Sequence, residues 1–225
     1  MRSGSDAARC QGNFCGMRNT TRLPRCAPEA RRDDIIRKAS ELFLSNGFGA
    51  TSMSTVARAI GGSKATLYKY FPTKEALFAA VIEENARDIL GPMQNAASSA
   101  DNPRAFLIAV GQQLLAGLYH PRAVSLARVV IGDCSRSPKI GHDFFSIGPE
   151  KAREVVVKRL LEFVSNGNLS DIDVSLATDD FFSLLRGEQH FKLMLGIISV
   201  PDEHYIRMHV ERVVDFVTKS WSFKG

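Results

Sequence analysis

"GGSKATLYKYFPTKEAL", residues 61–77, places two glycines and a serine before a short amphipathic segment that ends at a proline. Ser63 predicts the start of a helix over 64–70, because a serine hydroxyl can accept a hydrogen bond from a backbone N–H of the first turn. Pro72 predicts its end, since the residue before a proline avoids helical geometry. The stretch therefore predicts a helix of about two turns, rich in lysine and tyrosine.

Caps and stop signals on either side of this stretch predict three more helices. They cover residues 31–46, 53–60 and 74–90, with Ser52 and Thr73 as caps and Gly47, Gly61 and Gly91-Pro92 as ends. Two short helices separated by Gly-Gly-Ser match the helix-turn-helix pattern, whose second helix enters the major groove of DNA. We therefore predict a helix-turn-helix DNA-binding domain over 31–78, with 74–90 as the linking helix.

The predicted helix over 64–70 has an inward and an outward face. Leu67 and Phe71 lie four residues apart and face inward. Hydroxyl and ammonium groups suit phosphate oxygens, and small side chains let a helix approach base edges. The candidate DNA-contacting residues are Ser63, Lys64, Ala65, Thr66, Tyr68, Lys69, Tyr70 and Lys74. Two alternatives stay open: the Tyr68 ring packs against the domain, and Lys69 only solvates the surface.

The positive charge of the chain is concentrated in its N-terminal part. Residues 1–30 carry five arginines against Asp6 and Glu29, residues 31–90 carry nine basic and seven acidic side chains, and residues 91–225 carry fifteen of each. A polyanion should meet the N-terminal part, because neutralised phosphates release counterions. The alternative is a solvated basic tail without a partner.

Residues 92–225 are predicted to form a larger helical domain. Helical periodicity recurs to the end of the chain, and no strand-like alternation persists. The expected helices lie over 103–118, 121–134, 139–147, 149–165, 172–195 and 202–221. The predicted fold class is all-α with nine to ten helices, and residues 1–30 are expected to be a disordered basic tail.

The cysteines and apolar runs argue against a metal site and a membrane. Cys10, Cys15 and Cys26 are interpreted as unpaired thiols and Cys134 as a buried thiol, since no ligand set has a recognised metal spacing. The longest apolar run, near 193–200, is well short of the roughly 18 residues that cross a bilayer. We expect no metal, no cofactor and no membrane partner, and a cytoplasmic, nucleoid-associated protein.

Catalysis is the less favoured alternative. An enzyme needs a nucleophile with its base, or a metal set, and none stands at a recognised spacing. Asp180 and His190 lie almost three turns apart on one predicted helix and should not meet within it. The chain is therefore predicted not to be an enzyme. A second alternative is an architectural or cell-division DNA-binding factor without a ligand.

The run "GFGATSMSTVARAIGGSKATLYKYFPTKEALFAAVI", residues 47–82, resembles the DNA-binding domain of TetR-family transcriptional regulators. It has their Gly-aromatic-x-x-Thr-Ser entry, Ala-x-x-x-Gly turn and Leu-Tyr-x-Tyr/His-Phe-x-x-Lys-Glu-x-Leu exit. Gly62 departs from the usual apolar residue and is expected to loosen the turn. The resemblance implies that Thr51 or Ser52 faces DNA together with Lys64, Thr66, Tyr68, Tyr70 and Lys74, the last three chiefly on phosphates. Thr51 taken by itself is better explained as a cap or turn residue.

Residues 119–196, with "SLARVVIGDCSRSPKIGHDFF" and "ATDDFFSLLRGEQHFKLMLG", resemble the C-terminal domain of the AefR-like branch of that family. The resemblance implies that the last long helices pair with those of a second subunit, which assigns dimerisation to 149–166 and 172–195. The candidate interface residues are Leu160, Phe163, Phe181, Leu185 and Gly187. The alternative is that this stripe is the core of the monomer.

The same resemblance implies a homodimeric repressor of a palindromic double-stranded DNA operator, released by an unidentified small-molecule effector. Two recognition helices would meet half-sites about 34–36 Å apart, or a multiple of that distance. The effector would bind among the fifth to eighth helices. The candidate pocket residues are Phe106, Arg128, His142, Phe144, Phe145 and Phe182. The alternative for each of them is an ordinary place in the core or at the surface.

Overall fold

The computed structural model describes residues 28–170 and 172–221. These residues form ten α-helices and no strand, which confirms the predicted all-α class. The helices are α1 (Pro28–Asn46), α2 (Met53–Ala59), α3 (Lys64–Tyr70), α4 (Lys74–Ser98), α5 (Pro103–Tyr119), α6 (Pro121–Asp133), α7 (Pro138–Ile147), α8 (Pro149–Ser165), α9 (Val174–Met194) and α10 (Glu203–Trp221). No described helix is long and apolar enough to span a membrane. The predicted tail up to residue 27 and its three cysteines lie outside the described residues.

An aromatic cluster holds the short helices α2 and α3 on α1 and α4. The rings of Phe43 and Phe48 lie 5.8 Å apart, and each is 5.0 Å from the ring of Phe78. Leu67 of α3 is fully buried in the same cluster. Helices of seven residues are marginal alone, so their stability depends on this tertiary packing. We call α1–α3 with the first half of α4 the head, and the rest of the described chain the body.

Helix α4 continues beyond its predicted end. Gly91-Pro92 was expected to stop it near residue 90, but the helix includes Pro92 and ends at Ser98. Met93 and Ala97 on the added turns are buried in the core of the body. Burial of this apolar face outweighs the hydrogen bond that the proline removes. A single helix therefore joins the cores of head and body.

The body packs α5, α8, α9 and α10 around a second apolar core. Helix α5 crosses α10 closely, because a Cβ at Gly111 would lie 2.9 Å from Val210 Cγ1. The head core also takes in Leu126 and Val130 of α6 and Ile140 of α7. The head core therefore includes residues from the body, because α6 and α7 pack on the head.

The predicted dimer residues are corrected by the structure. Leu160, Phe163, Phe181 and Leu185 are all buried in the core of the body, so they cannot form a subunit contact. The family resemblance had suggested these residues for the dimer, and their burial favours the stated alternative, the core of the monomer. Gly187 is exposed and has φ +48°, a left-handed geometry that kinks α9 rather than a close-approach point between helices.

Candidate nucleic-acid interface

Serine caps set the start of both short helices of the head. Ser52 Oγ accepts from the backbone N–H of Thr55 at 3.1 Å, and Ser63 Oγ accepts from that of Thr66 at 3.1 Å. The turn between the helices contains Gly61 at φ +61°, which a glycine adopts without strain. These contacts set where each helix starts and where the chain turns between them, as a helix-turn-helix unit requires.

Gly62 leaves room for an arginine of α1. Arg31 donates from Nη2 to the backbone oxygen of Ile60 at 3.1 Å, and a Cβ at residue 62 would lie 3.1 Å from that nitrogen. The departure from the family pattern leaves space for an arginine that satisfies the end of α2. The effect of Gly62 on the packing of the turn stays a prediction.

The outer face of α3 presents cationic and hydroxyl groups to solvent. Lys64, Ala65 and Lys69 are exposed, and Tyr68 is 48% exposed. Tyr70 is half-buried and packs against the head core. The hydroxyl of Thr66 lies 2.9 Å from that of Ser63, so both are already engaged in the cap. The head does not enclose the ring of Tyr68, so a contact between Tyr68 and DNA stays the prediction.

Two candidate residues hold the turn between α1 and α2 instead of pointing outward. Thr51 is buried, and its hydroxyl donates to the backbone oxygens of Gly47 at 2.8 Å and Leu42 at 3.3 Å. Its side chain is therefore withdrawn from the DNA-contacting set, and exposed Ser52 remains. Lys74 donates to the Phe48 oxygen at 2.8 Å and lies 4.1 Å from the centroid of the Phe48 ring. Lys74 therefore helps to hold this turn, and its phosphate contact stays a prediction.

Replacement of Thr51 with Val tests the structural role of this hydroxyl. Valine keeps the shape and leaves two buried acceptors without their donor, so the free energy of unfolding should fall by about 1–3 kcal/mol. Urea unfolding followed by circular dichroism measures the change. The folded variant should bind operator DNA with the affinity of the wild type; a large loss of binding at unchanged stability would return Thr51 to the DNA interface.

A carboxylate of the body holds the same turn from the other side. Asp133, the last residue of α6, accepts from the backbone N–H groups of Phe48 at 2.9 Å and Gly49 at 3.3 Å. Charge-assisted hydrogen bonds of this kind are stronger than neutral ones. The turn over 47–51 is thus fixed by Asp133 of α6 and by Lys74 of α4. Neither contact was predicted from the sequence. Asp133 lies 85 positions from Phe48 in the sequence, and no local pattern marks such distant residues as partners.

Helix α6 makes two further polar contacts along its length. Near its start Arg122 pairs with Glu84 of α4 and donates to Ser40 Oγ of α1 at 3.3 Å. Midway, Arg128 donates to the backbone oxygens of Leu193 at 2.7 Å and Met194 at 2.8 Å. Helix α6 is therefore bonded to the head at both ends and to the end of α9 between them.

The predicted effector residues do not converge on one pocket. Phe106 is buried against Phe163, with ring centroids 5.9 Å apart, and Arg128 is occupied at the end of α9. Phe144 packs on the head core. His142 and Phe145 are exposed, and Phe182 is half-buried beside Phe181. These residues lie on four different helices and differ in burial, so their role in an effector pocket stays a prediction.

The structure places two other polar side chains of the body in contact. The rings of Tyr119 and His190 stack with centroids 6.1 Å apart and an interplanar angle of 16°. Tyr119 Oη and His190 Nδ1 are buried and have no hydrogen-bond partner among the described residues. Sequence analysis missed this pair. The only local signal was a tyrosine and a histidine at otherwise apolar helical positions.

Exposed apolar side chains are concentrated near the C-terminal end of the body. Of the twelve large ones in the described part of the chain, eight lie between residues 176 and 216. We call these eight the α9–α10 patch. They are Leu176, Leu184, Phe191, Leu195, Ile197, Val200, Met208 and Phe216. The buried stripe of α9 belongs to the core, whereas these exposed residues lie on α9, on α10 and on the segment between them.

Two family descriptions match the chain. "Bacterial regulatory proteins, tetR family" matches residues 35–81, and "AefR-like transcriptional repressor, C-terminal domain" matches residues 105–220. The second match alone covers more than half of the chain. Both agree with the resemblance that the sequence carries.

Similar proteins are transcriptional regulators. The repressor KstR2 of Mycolicibacterium smegmatis is 26% identical over 66% of this chain and 73% of its own. The activator FasR of the same species is 33% identical, and the match spans only 42% of either chain. A solved structure, "Flavonoid-responsive Regulator FrrA", is 34% identical with a TM-score of 0.74, and the match covers 85% of this chain and 97% of FrrA. With a capped helix-turn-helix in the head and both family matches, the chain belongs to the TetR family of DNA-binding transcriptional regulators.

Proposed function

We propose that this protein is a homodimeric repressor that binds a palindromic operator and is released from it by a small aromatic effector. The observation that carries the proposal is the outer face of α3, which a serine cap orients and which exposes Lys64, Ala65, Tyr68 and Lys69. KstR2 is a repressor, and this similarity supports repression by the present protein.

The residues of the head divide into positioning and reading groups. Lys64 and Lys69 carry ammonium groups that suit phosphates, as do the hydroxyls of Tyr68 and Ser52. Ala65 is the exposed small residue that lets α3 approach base edges and can contact a thymine methyl group. Tyr70 is half-buried and packs against the head core, so we assign only its hydroxyl to a phosphate.

Replacement of Lys64 with Ala tests the phosphate contact. The logarithm of the operator affinity should fall less steeply with the logarithm of salt concentration, by about one unit per protomer, because one fewer phosphate is neutralised. A fluorescence anisotropy titration over a salt series measures this slope. Lys158→Ala, which removes an exposed ammonium group from α8, is the matched control. Equal slopes for the two variants would remove Lys64 from the interface.

The α9–α10 patch is the proposed dimer face. Large exposed apolar patches on a folded chain mark interaction sites, and a two-fold axis uses the same patch on both subunits. Since α9 and α10 pack on each other, two copies would form a bundle of four helices around the axis. This face replaces the buried residues that the sequence had assigned to the dimer.

Helix α6 is the proposed route from the body to the head. Arg128 bonds α6 to the end of α9, while Arg122 and Asp133 bond it to the head. A ligand that moves α9 would shift α6 and rotate the α3 helices away from the operator spacing. A ten-fold loss of operator affinity requires only about 1.4 kcal/mol of difference in ligand affinity between the two states.

FrrA supports an aromatic effector, since its name describes a flavonoid-responsive protein and its match spans nearly its whole chain. The test uses a palindromic duplex that the purified protein selects from a random library. Apigenin, a trihydroxylated flavone, should weaken binding of this duplex about ten-fold or more at saturation. Unchanged operator binding at every apigenin concentration would remove the aromatic effector and favour an architectural DNA-binding factor.

A further inference from the structure

A cavity of about 390 Å³ opens where Gly187, at φ +48°, kinks α9. Helix α9 supplies Leu184 and residues 187–189 to its wall, and α10 supplies Tyr205, His209 and Arg212. Small-molecule sites usually occupy ~300–1,000 Å³ and combine apolar walls with a few polar groups. The volume therefore suits a compound of one or two rings.

His209 orients the guanidinium of Arg212 in this wall. His209 Nε2 lies 2.9 Å from the backbone oxygen of Leu185, and this nitrogen carries the proton because a carbonyl oxygen only accepts. His209 Nδ1 then accepts from Arg212 Nη2 at 3.0 Å. The imidazole is itself stacked on the ring of Tyr205, with centroids 5.6 Å apart at 11°. One N–H group of Arg212 therefore fixes the guanidinium, and its other N–H groups are left for a ligand.

The positive charge of Arg212 is not balanced by a carboxylate. Arg212 forms no ion pair in the described part of the chain, and Glu188 of the cavity wall pairs instead with Lys192 at 2.9 Å. Burial raises the pKa of Tyr205, and Arg212 and Lys192 partly oppose this shift. The charges that act on the Tyr205 hydroxyl are thus positive, and the hydroxyl stays protonated and able to donate. The wall of the cavity therefore favours an anion.

A carboxylate matches these donors in charge and in geometry. An arginine fork binds a carboxylate through two parallel hydrogen bonds. One negative charge balances one guanidinium, whereas a phosphate dianion would bring a second charge next to the apolar side chain of Leu184. Leu184 and the ring of Tyr205 also give the wall an apolar part that suits an aromatic ring. The chemistry of the cavity therefore indicates an aromatic monocarboxylate.

We propose that the cavity at the α9 kink binds a compact aromatic monocarboxylate, which accepts hydrogen bonds from the guanidinium of Arg212 and the hydroxyl of Tyr205. This site goes beyond the proposed operator release and does not depend on it. Leu184 belongs both to the cavity wall and to the α9–α10 patch, so the site lies at the edge of the proposed dimer face. By linkage, the ligand and the second subunit would change each other's affinity.

Isothermal titration of the full chain with 2-naphthoate and with 2-naphthamide, its neutral analogue of the same shape, tests the site. At neutral pH the wild type should bind 2-naphthoate about ten-fold or more tighter, because only the carboxylate forms a charge-assisted pair with the guanidinium. Arg212→Met should bring the affinities for the two compounds within about two-fold of each other. Arg212→Lys keeps the charge and lacks the fork, so it should weaken 2-naphthoate binding about three- to ten-fold. The lysine variant decides the matter if circular dichroism shows that the methionine variant does not fold.

Arg207→Met is the matched control. Arg207 is also exposed on α10, and its Nη2 lies 3.0 Å from His204 Nδ1 in the same three-residue spacing, but it does not line the cavity. This variant should bind both compounds as the wild type does. Equal losses in Arg207→Met and Arg212→Met, or no binding of 2-naphthoate by the wild type, would overturn the site. Binding by the Phe216→Glu variant and not by the wild type would mean that the second subunit fills the cavity, which would overturn the site and keep the proposed dimer. The titrations contain no DNA, so their failure is distinct from a failure of the proposed operator release.

Discussion

Replacement of Phe216 with Glu is expected to convert the proposed dimer to a monomer and to lower affinity for a palindromic duplex by a factor of about 100 or more. Phe216 is 63% exposed on α10 and belongs to the α9–α10 patch. In a two-fold dimer each copy would bury this ring, and a carboxylate there would be desolvated without a partner. A monomer presents one head, so it loses the avidity that two linked heads provide, typically 10²–10⁴-fold.

Analytical ultracentrifugation and a duplex titration measure the two effects. Phe145→Glu is the matched control, because Phe145 is 60% exposed on α7, away from the patch. It should remain a dimer and bind the duplex normally. A dimeric Phe216→Glu variant, or a monomeric Phe145→Glu variant, would move the subunit contact to another face.

Replacement of Asp133 with Ala is expected to lower operator affinity about ten-fold and to reduce the free energy of unfolding by about 1.5–3 kcal/mol. The change removes the acceptor of the Phe48 and Gly49 N–H groups. The turn over 47–51 then depends on Lys74 and on the Thr51 hydroxyl, and the head gains freedom relative to α6. Two heads that are not held at a defined separation lose part of their combined affinity.

Two control variants separate the effect of the place of the Asp133 carboxylate from the effect of its charge. Asp133→Asn keeps an acceptor oxygen and should retain most of the operator affinity. Asp143→Ala removes a carboxylate that pairs with exposed Lys139 on α7, and such surface pairs contribute little to stability. If Asp133→Ala binds operator as tightly as Asp143→Ala does, α6 is not the route from body to head.

Local signals predicted the helices well wherever a cap or stop acts within one turn. Helix α3 begins and ends at the predicted residues, because its serine cap and Pro72 are sufficient by themselves. Helix α4 did not stop at Gly91-Pro92, since Met93 and Ala97 gain burial in the body. Helix α1 begins at Pro28, three residues before its predicted start. Tertiary packing decided the end of α4, and periodicity carries no information about such packing.

Side-chain roles were predicted less well than helices. Thr51 and Lys74 are polar residues in the right segment, but their hydrogen bonds go to the backbone of the 47–51 turn. The family resemblance assigned Phe181 and Leu185 to a dimer contact, and the apolar pattern of α9 does not reveal which side of the helix faces the core. Both residues are buried, and the proposed dimer uses the exposed Leu184 and Phe191 instead. Asp133, Tyr119 and His190 each contact a residue that lies far away in the sequence. These contacts are visible only in the folded structure.

The stoichiometry of the operator complex tests the central proposal most directly. Light scattering of the chromatographed complex, formed on the selected palindromic duplex, gives the number of protomers per duplex. The proposal predicts two protomers on the full palindrome, and a marked loss of affinity when one half-site is scrambled. A single protomer per duplex, bound equally well to the full and the scrambled sequence, would contradict it.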